Sequence, residues 1–570
     1  MKKSIIAVSL ALLPAIGAQA QSTNIVFVPG SIAVLRVGTG SGPQGSTSPY
    51  DFASKQNVVF IDQYTNLVGT NSAPAYTVAI PTNGNASLWF NGNAGTEGGM
   101  ARSGDRSGLA FTGYHGDICS ISPGTAPSSL SYERGIGLVN AFGNLVDASG
   151  NTNSLVYHGQ SWYGSVAGKT NPRGVVSDGT NEFYGCGSTY GTLQFDAGSD
   201  GVYQFQSLSS TRAVKIVNNT LYTTINASDG AGQLGYPAGI YNFVDGDNNP
   251  VNLPPPGETV YMNLVVPAFG NFVNVEGFDI NPQGNVAYIA DNIYGVQKYV
   301  KTGGAWRFAC NYSVASFNGT DTKDGLGGVL DLTVDYSGTN PVIYATTAES
   351  VGYKLGNFNF NRIVKIIDTN TSITGLTFTN VTTIAQAWNT NVGLHSICFV
   401  PDLRPLIVGS PANQSVVAGT PARFAVTATA SGAATLAGPV TYQWLDNGAN
   451  INGATSTNYT FGSPQLSDNG SLIQCVVGDF YGSVTSTPPA QLTVTAAPVA
   501  PQLGAAQNLT NAIGDNVSIT VAVTNFATTP LSYRWYFNGA ALSEGGGANG
   551  EYSGTTNVTL QNQRRPTWSG

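Results

Sequence analysis

Charge is the scarcest property of this sequence. Only 9% of its 570 residues are charged, against 41% hydrophobic, and the balance is a net −8. No basic stripe exists to neutralise phosphates, which excludes a nucleic-acid partner; Arg564-Arg565 is an isolated pair. Long-range electrostatic steering is excluded on the same ground, and solubility has to rest on amides and hydroxyls. Histidine is nearly missing too. The three present are His115, His158 and His395, and none has a second ligand at zinc-motif spacing, so a histidine metal site has to assemble from separate strands. Cysteine is sparse and odd in number: Cys119, Cys186, Cys310, Cys398 and Cys475. Their spacing fits no zinc motif, and buried single thiols on strands are expected, with one disulfide among the first four left open. Helical periodicity is absent beyond the first residues. No later apolar run reaches the eighteen residues that a membrane span requires.

Turns fill the space that charge leaves. Gly 71 and Pro 29, with abundant Asn, Thr and Ser, describe an all-β chain of several domains. Residues 1–20 read as a secretory signal: Lys2 and Lys3, an apolar run, then Ala18-Gln19-Ala20 as a cleavage site. The mature chain is expected to begin at Gln21 and to be secreted or held at the outer cell surface.

Phe278 to Phe308 reads as three strands and two tight turns. Asn281-Pro282-Gln283-Gly284 closes the first turn, and Val286 to Ala290 is apolar on both faces, as in a strand covered on both sides. Such a piece cannot bury itself, so it must recur. A small or basic residue beside Gly, then a short apolar strand, a polar turn and a second strand, recurs, with instances starting at Glu97-Gly98, Arg173-Gly174, Arg212-Ala213, Glu276-Gly277, Gly327-Gly328 and Gly393. Residues 21–403 are therefore expected to form a six- or seven-bladed β-propeller. Its last unit, Leu394 to Val400, needs the N-terminal strands Ile32–Val37 and Val58–Tyr64 to complete it. The segments IAVLRVGTGS, VFIDQYT, TEGGMARSGDRSGLAFTGY, YIADNIYGVQKYVKTGGAW and VIYATTAES resemble a family of large secreted bacterial β-propeller proteins with C-terminal immunoglobulin-like modules. The resemblance implies a fold and a location, and no activity.

Residues 404–495 change character. Trp444 on a third strand and Asp468-Asn469-Gly470 ahead of Cys475 resemble the immunoglobulin fold. Phe424 and Val426 stand where the partner cysteine would lie, so the core has to rest on packing around Trp444. After a linker at 496–502, Val517 to Val523 and Tyr533-Arg534-Trp535 begin a second copy over 503–570, expected to be incomplete because its last strands are missing. Trp444, Cys475 and Trp535 are the expected structural residues.

No catalytic set emerges. Trp89, Trp162, Tyr163 and Trp388 lie in Gly/Asn-rich surroundings and are the candidates to stack on sugar rings. Glu97, Glu276 and Asp331 fall near the starts of units, where they would reach one channel and hold a cation such as Ca²⁺, or else bond backbone N–H groups between units. Asp245 to Asn249 departs from an EF-hand loop, which leaves a polar turn. The expected function is a non-catalytic binding or adhesion protein, with the propeller presenting a site for a glycan or surface protein and the immunoglobulin-like modules as spacers. The alternatives are a secreted propeller enzyme (lactonase, glycosidase or lyase) using channel-mouth carboxylates, and a structural protein of an envelope layer.

Overall fold

The structure is a computed structural model. It describes residues 26–39, 56–69, 72–91, 97–117, 132–159, 171–179, 182–187, 191–196, 202–204, 211–226, 236–269, 274–314, 321–322, 327–350, 361–388, 392–430, 439–505, 507–512, 514–527, 529–547 and 550–563. The expected signal at 1–20, Cys119, Trp162, Tyr163 and the terminal stretch 564–570 lie outside them. Among the described residues every regular element is a strand except a single 3-10 turn, Leu466–Asp468. The chain divides into two compact units, one reaching Leu406 and also holding 428–440 and 478–484, the other made of the remainder.

Among the described residues the first unit contains six sheets of four or more strands, antiparallel except where Thr377–Phe378 runs parallel to Ala305–Tyr312. The first sheet joins the two ends of the unit: Gly393–Phe399, Ile32–Val37, Val59–Tyr64 and Tyr76–Ala79, in that order. The second begins with Met100–Arg102 and Gly108–His115, followed by Glu133–Asn140 and Tyr157–Gly159. The third runs Pro172–Ser177, Glu182–Gly187, Thr192–Asp196, Val202–Gln204. Thr211–Val217, Thr220–Ile225 and Gly239–Val244 head the fourth, Val275–Ile280, Val286–Asp291, Gly295–Thr302 and Ala305–Tyr312 the fifth, and Val329–Asp335, Val342–Thr347, Arg362–Ile367 and Val381–Gln386 form the sixth.

Both faces of each sheet are apolar, and the packing shows why. Leu35 and Ile61 of the first sheet share a core with Leu109 and Phe111 of the second. Ile136 meets Val175 and Phe183 of the third, whose Val176 and Tyr184 meet Val214 and Tyr241 of the fourth. Ile240 packs with Phe278 and Ile289 of the fifth, and Tyr288 and Val296 with Leu332 and Ile343 of the sixth. Finally Tyr344 and Ile363 of the sixth pack with Ile32, Val34 and Ile397 of the first. The succession of cores returns to its starting sheet.

In the second unit, Gln414–Val417 runs parallel to Ala490–Thr495 in a sheet that continues through Leu472–Asp479 to Thr441–Asp446. Ala422–Ala425 pairs with Asn458–Phe461 in another. Trp444 and Cys475 are fully buried, Phe424 packs near the indole at 6.5 Å, and the indole N–H donates to the Ser456 carbonyl at 2.8 Å. Farther on, Val517–Thr520 pairs with Thr559–Gln563, and the Trp535 indole donates to the Asn557 carbonyl at 2.8 Å. Trp535 itself is half-buried.

Candidate functional site

The candidate site lies where the first strands of the six sheets approach one another. Five of those strands break register with their partner by one step: at Arg173 between Pro172 and Gly174, at Arg212-Ala213, at Glu276, at Leu330, and at His395-Ser396 opposite Leu35. Each break is a bulge, which leaves a residue out of the ladder and turns its side chain away from the sheet. Glu97, ahead of Met100–Arg102, supplies the sixth position. Small residues let the strands close in. A Cβ on Gly99 would stand 2.3 Å from the Arg173 carbonyl oxygen, and one on Gly277 2.3 Å from Asp331 Oδ1.

Between these strands is a cavity of about 50 Å³, open to solvent, lined by Glu97, Arg173, Arg212, Lys215, Glu276, Asp331, His395 and Ser396 among others. Asp331 acts as a tie. It accepts from the Ser396 hydroxyl, from Ile397 N at 3.1 Å and from Leu332 N at 2.8 Å, with Lys215 Nζ at 3.5 Å. Glu276 accepts from Asn292 Nδ2 at 2.5 Å and faces Arg212 Nε at 3.8 Å. Glu97 Oε1 accepts a hydrogen bond from the Tyr114 hydroxyl at 2.9 Å, while its buried Oε2 has no hydrogen-bond partner among the described residues. Burial pushes the Glu97 carboxyl up to about 8, against the opposing pull of Tyr114 and of Arg173 and Arg134. His395 donates from Nδ1 to the Glu97 carbonyl at 3.3 Å, and its buried Nε2 is likewise without a partner. Burial drives that imidazole down to about 4, so it is neutral at ordinary pH.

The three acids expected near a common channel therefore do line one cavity, but they do not make a cation site. Their carboxylate oxygens are not gathered within ligand distance of one another, and those of Asp331 and Glu276 are held by Lys215, Arg212 and neighbouring donors. A Ca²⁺ ion takes six to eight oxygens and would have to displace those cations. The bases were the missed half of the site. Arg173 and Arg212 stood before a small residue at the unit starts, which is the signal by which they were legible; Lys215 carried none.

Of the aromatic candidates, Trp89 is a correction. It is fully buried on its strand, stacked on Tyr114 at 4.9 Å and edge-on to Tyr132 at 5.1 Å, so no face is open to a sugar. Trp388 is 54% exposed, with the Arg36 guanidinium 4.9 Å from its ring centre. The Asp245 stretch is a tight turn: Asp245 Oδ1 accepts from Asp247 N at 2.9 Å and Asn249 N at 2.8 Å.

No family model matches the chain, and no curated protein matches it. Among solved structures it is similar to immunoglobulin-domain repeats. An I-band fragment of titin, I67–I69, is 14% identical with a TM-score of 0.19, covering 28% of this chain and 56% of that one. Titin domains Z1Z2, solved in complex with telethonin, are 19% identical with a TM-score of 0.17, covering 29% and 83%. The N-terminal Ig1-2 module of the Drosophila receptor protein tyrosine phosphatase DLAR is 20% identical with a TM-score of 0.14, covering 28% and 84%. The chain thus spans little more than half of the titin I-band fragment. Likenesses this faint carry no argument about this chain's fold and say nothing of activity.

Proposed function

We propose that this is an exported, non-catalytic binding protein. In this reading residues 21–403 form a six-bladed β-propeller, and the modules at 404–495 and 503–570 are immunoglobulin-like spacers. The bound ligand is a small hydroxylated anion, the chemistry of a sugar acid, held in the cavity at the inner strands. One observation carries the reading: Glu97 Oε2 and His395 Nε2 are both buried, both without a hydrogen-bond partner among the described residues, and both belong to residues lining the same cavity. A buried polar atom left unpaired costs about 1–3 kcal/mol, which a ligand hydroxyl or carboxylate would relieve. The charge count agrees. With Glu97 protonated at neutral pH, the charged lining is Arg173, Arg212 and Lys215 with Glu276 and Asp331, three positive to two negative. The six successive cores, returning to the first sheet, support the propeller.

The test is calorimetric titration of the full chain with glucuronate and galacturonate, and with the neutral sugars as controls. Saturable binding of the acids, weakened at least tenfold by Arg173→Gln and by His395→Ala, is expected. Absence of saturable binding, or binding that both variants leave intact, would overturn the proposal.

A second reading is favoured by Glu97 itself. A carboxyl that keeps its proton to about pH 8, next to a neutral imidazole, is a general acid beside a general base. Asp331 and Glu276 are engaged elsewhere, so a paired-carboxylate glycosidase fits poorly and a lyase or lactonase fits better. Turnover of a uronate oligomer or lactone, lost in Glu97→Gln while binding persists, would replace the binding reading with this one.

A further inference from the structure

Two of the chain's three histidines meet far from each other in sequence. His115 ends the strand Gly108–His115, Glu133 begins Glu133–Asn140, and His158 sits in Tyr157–Gly159; the three strands are neighbours in the second sheet. His115 is directly opposite Glu133, and His158 is opposite Gly135, two residues along and therefore on the same face as Glu133. All three side chains consequently share one face at one end of the sheet. Their ligand atoms lie within 4.8 Å of one another, the sole such group of His, Cys, Asp or Glu among the described residues.

We propose that His115, Glu133 and His158 bind a Zn²⁺ ion through two imidazoles and one carboxylate. His158 Nδ1 is 3.0 Å and His115 Nε2 3.9 Å from Glu133 Oε2. Tetrahedral zinc with bonds of about 2.0–2.1 Å spaces its ligands about 3.3 Å apart, between those two values. The tautomer of His115 is set by its other nitrogen. Nδ1 lies 2.9 Å from the Ser87 carbonyl, an obligate acceptor, so Nδ1 carries the proton and Nε2 presents its lone pair. A backbone carbonyl orienting a histidine in this way is the usual outer support of a metal ligand. That lone pair faces a carboxylate 3.9 Å away, acceptor against acceptor, an arrangement that a bound cation makes favourable. The rings lie 4.6 Å apart, both turned to the same oxygen. Side-chain exposures of 14% for His115, 34% for Glu133 and 48% for His158 leave a fourth position open to solvent. Two imidazoles and a carboxylate suit zinc over calcium or magnesium, which prefer oxygen alone. The site is separate from the central cavity and does not depend on what that cavity binds.

The experiment uses the full chain carrying Cys119→Ser, so that no thiol outside the four buried ones competes. After chelation and dialysis, ZnCl₂ is titrated by calorimetry. One equivalent is expected to bind, with affinity reduced at least tenfold by His158→Ala and by Glu133→Gln, and lost in His115→Ala/His158→Ala. Co²⁺ in place of Zn²⁺ should give the visible bands of a four-coordinate ion, absent from the double variant. Matching circular dichroism would establish that each variant is folded. Failure of the parent to bind Zn²⁺ below 100 µM, or a double variant within threefold of it, would overturn the site.

Discussion

Glu97 is the residue whose behaviour tells most about the interior of the first unit. Its folded value, about 8, lies above the 4.5 of an ordinary glutamate because burial disfavours its charge. The stability it contributes is therefore complete below pH 4.5 and is lost as pH rises from there through 8, by at most about 1.4 kcal/mol per pH unit. His395 has the opposite sign. Its depressed value, about 4, gives stability that is present above 6.5 and lost as pH falls through 4. Glu97→Gln should accordingly become more stable relative to the parent as pH goes from 5 to 8.5, read as a growing difference in urea midpoint. A difference that stays flat across that range would contradict a buried, unpaired carboxyl. The thiols make a second residue-level test. Cys186, Cys310, Cys398 and Cys475 are all free and buried, and burial pushes Cys186 and Cys398 up to about 12 and Cys475 to about 11. In a Cys119→Ser background, maleimide should label none of them in the native protein and all four in denaturant; native labelling of any one counts against this packing. Lone buried thiols were legible from spacing, since no motif claimed them. The burial of Trp89 was not, because Gly- and Asn-rich neighbours reveal flanking turns and leave open which face of its strand the indole takes.

Strands, as elements, were readable where turn chemistry bracketed an apolar run, as at Asn281 to Gly284 ahead of Val286–Asp291. The bulges were not readable. One extra residue leaves the alternation intact on either side, yet it decides that Arg173 and Glu276 face the cavity instead of a neighbouring sheet. The contact between inner strands is tight enough to test. Gly277→Ala would drive its Cβ to 2.3 Å from Asp331 Oδ1 and 3.1 Å from Asp331 Cα, so rotation of the carboxylate alone cannot relieve it. A loss of about 1–3 kcal/mol is expected from overpacking at this seam. Gly338→Ala, whose Cβ would meet nothing nearer than 3.6 Å, should change stability little, and equal losses at both positions would argue against close approach at Gly277. The same reasoning separates the two tryptophans of the second unit. Trp444 is fully buried, so Trp444→Ala should cost about 3–5 kcal/mol; the half-buried Trp535 should cost clearly less. Trp444 and Cys475 were legible as core residues of this unit, since an apolar strand carries each, and both are fully buried.

At the scale of the whole first unit, the decisive feature is that its ends meet in one sheet. Ile32–Val37 pairs with Gly393–Phe399 on one edge and Val59–Tyr64 on the other. The sequence indicated this because Leu394 to Val400 was a strand without companions; the number of units was not fixed, since loops of unequal length blur the period. Each sheet has an apolar face on either side, so a sheet that ended the succession would leave a core exposed, and the sheet joining the two ends would remove that edge if the succession closes. Val34 lies in the core that joins the sixth sheet to the first, fully buried. A charge there is uncompensated, and an unpaired buried charge is among the few single changes that exceed 4 kcal/mol. If the succession closes, Val34→Asp should destabilise all six sheets together, because opening one seam exposes two faces at once. Limited proteolysis would then cut throughout residues 26–403 at a temperature the parent withstands, whereas Val68→Asp, at a position 82% exposed, should leave the digest unchanged. Cleavage confined to the first and sixth sheets would mean that the sheets stack as an open array, in which each repeat answers only to its neighbours. The protection of the Pro172–Ser177 and Thr211–Val217 strands, in the third and fourth sheets and farthest from that seam in the succession, is therefore the reading that decides between a closed ring and a solenoid.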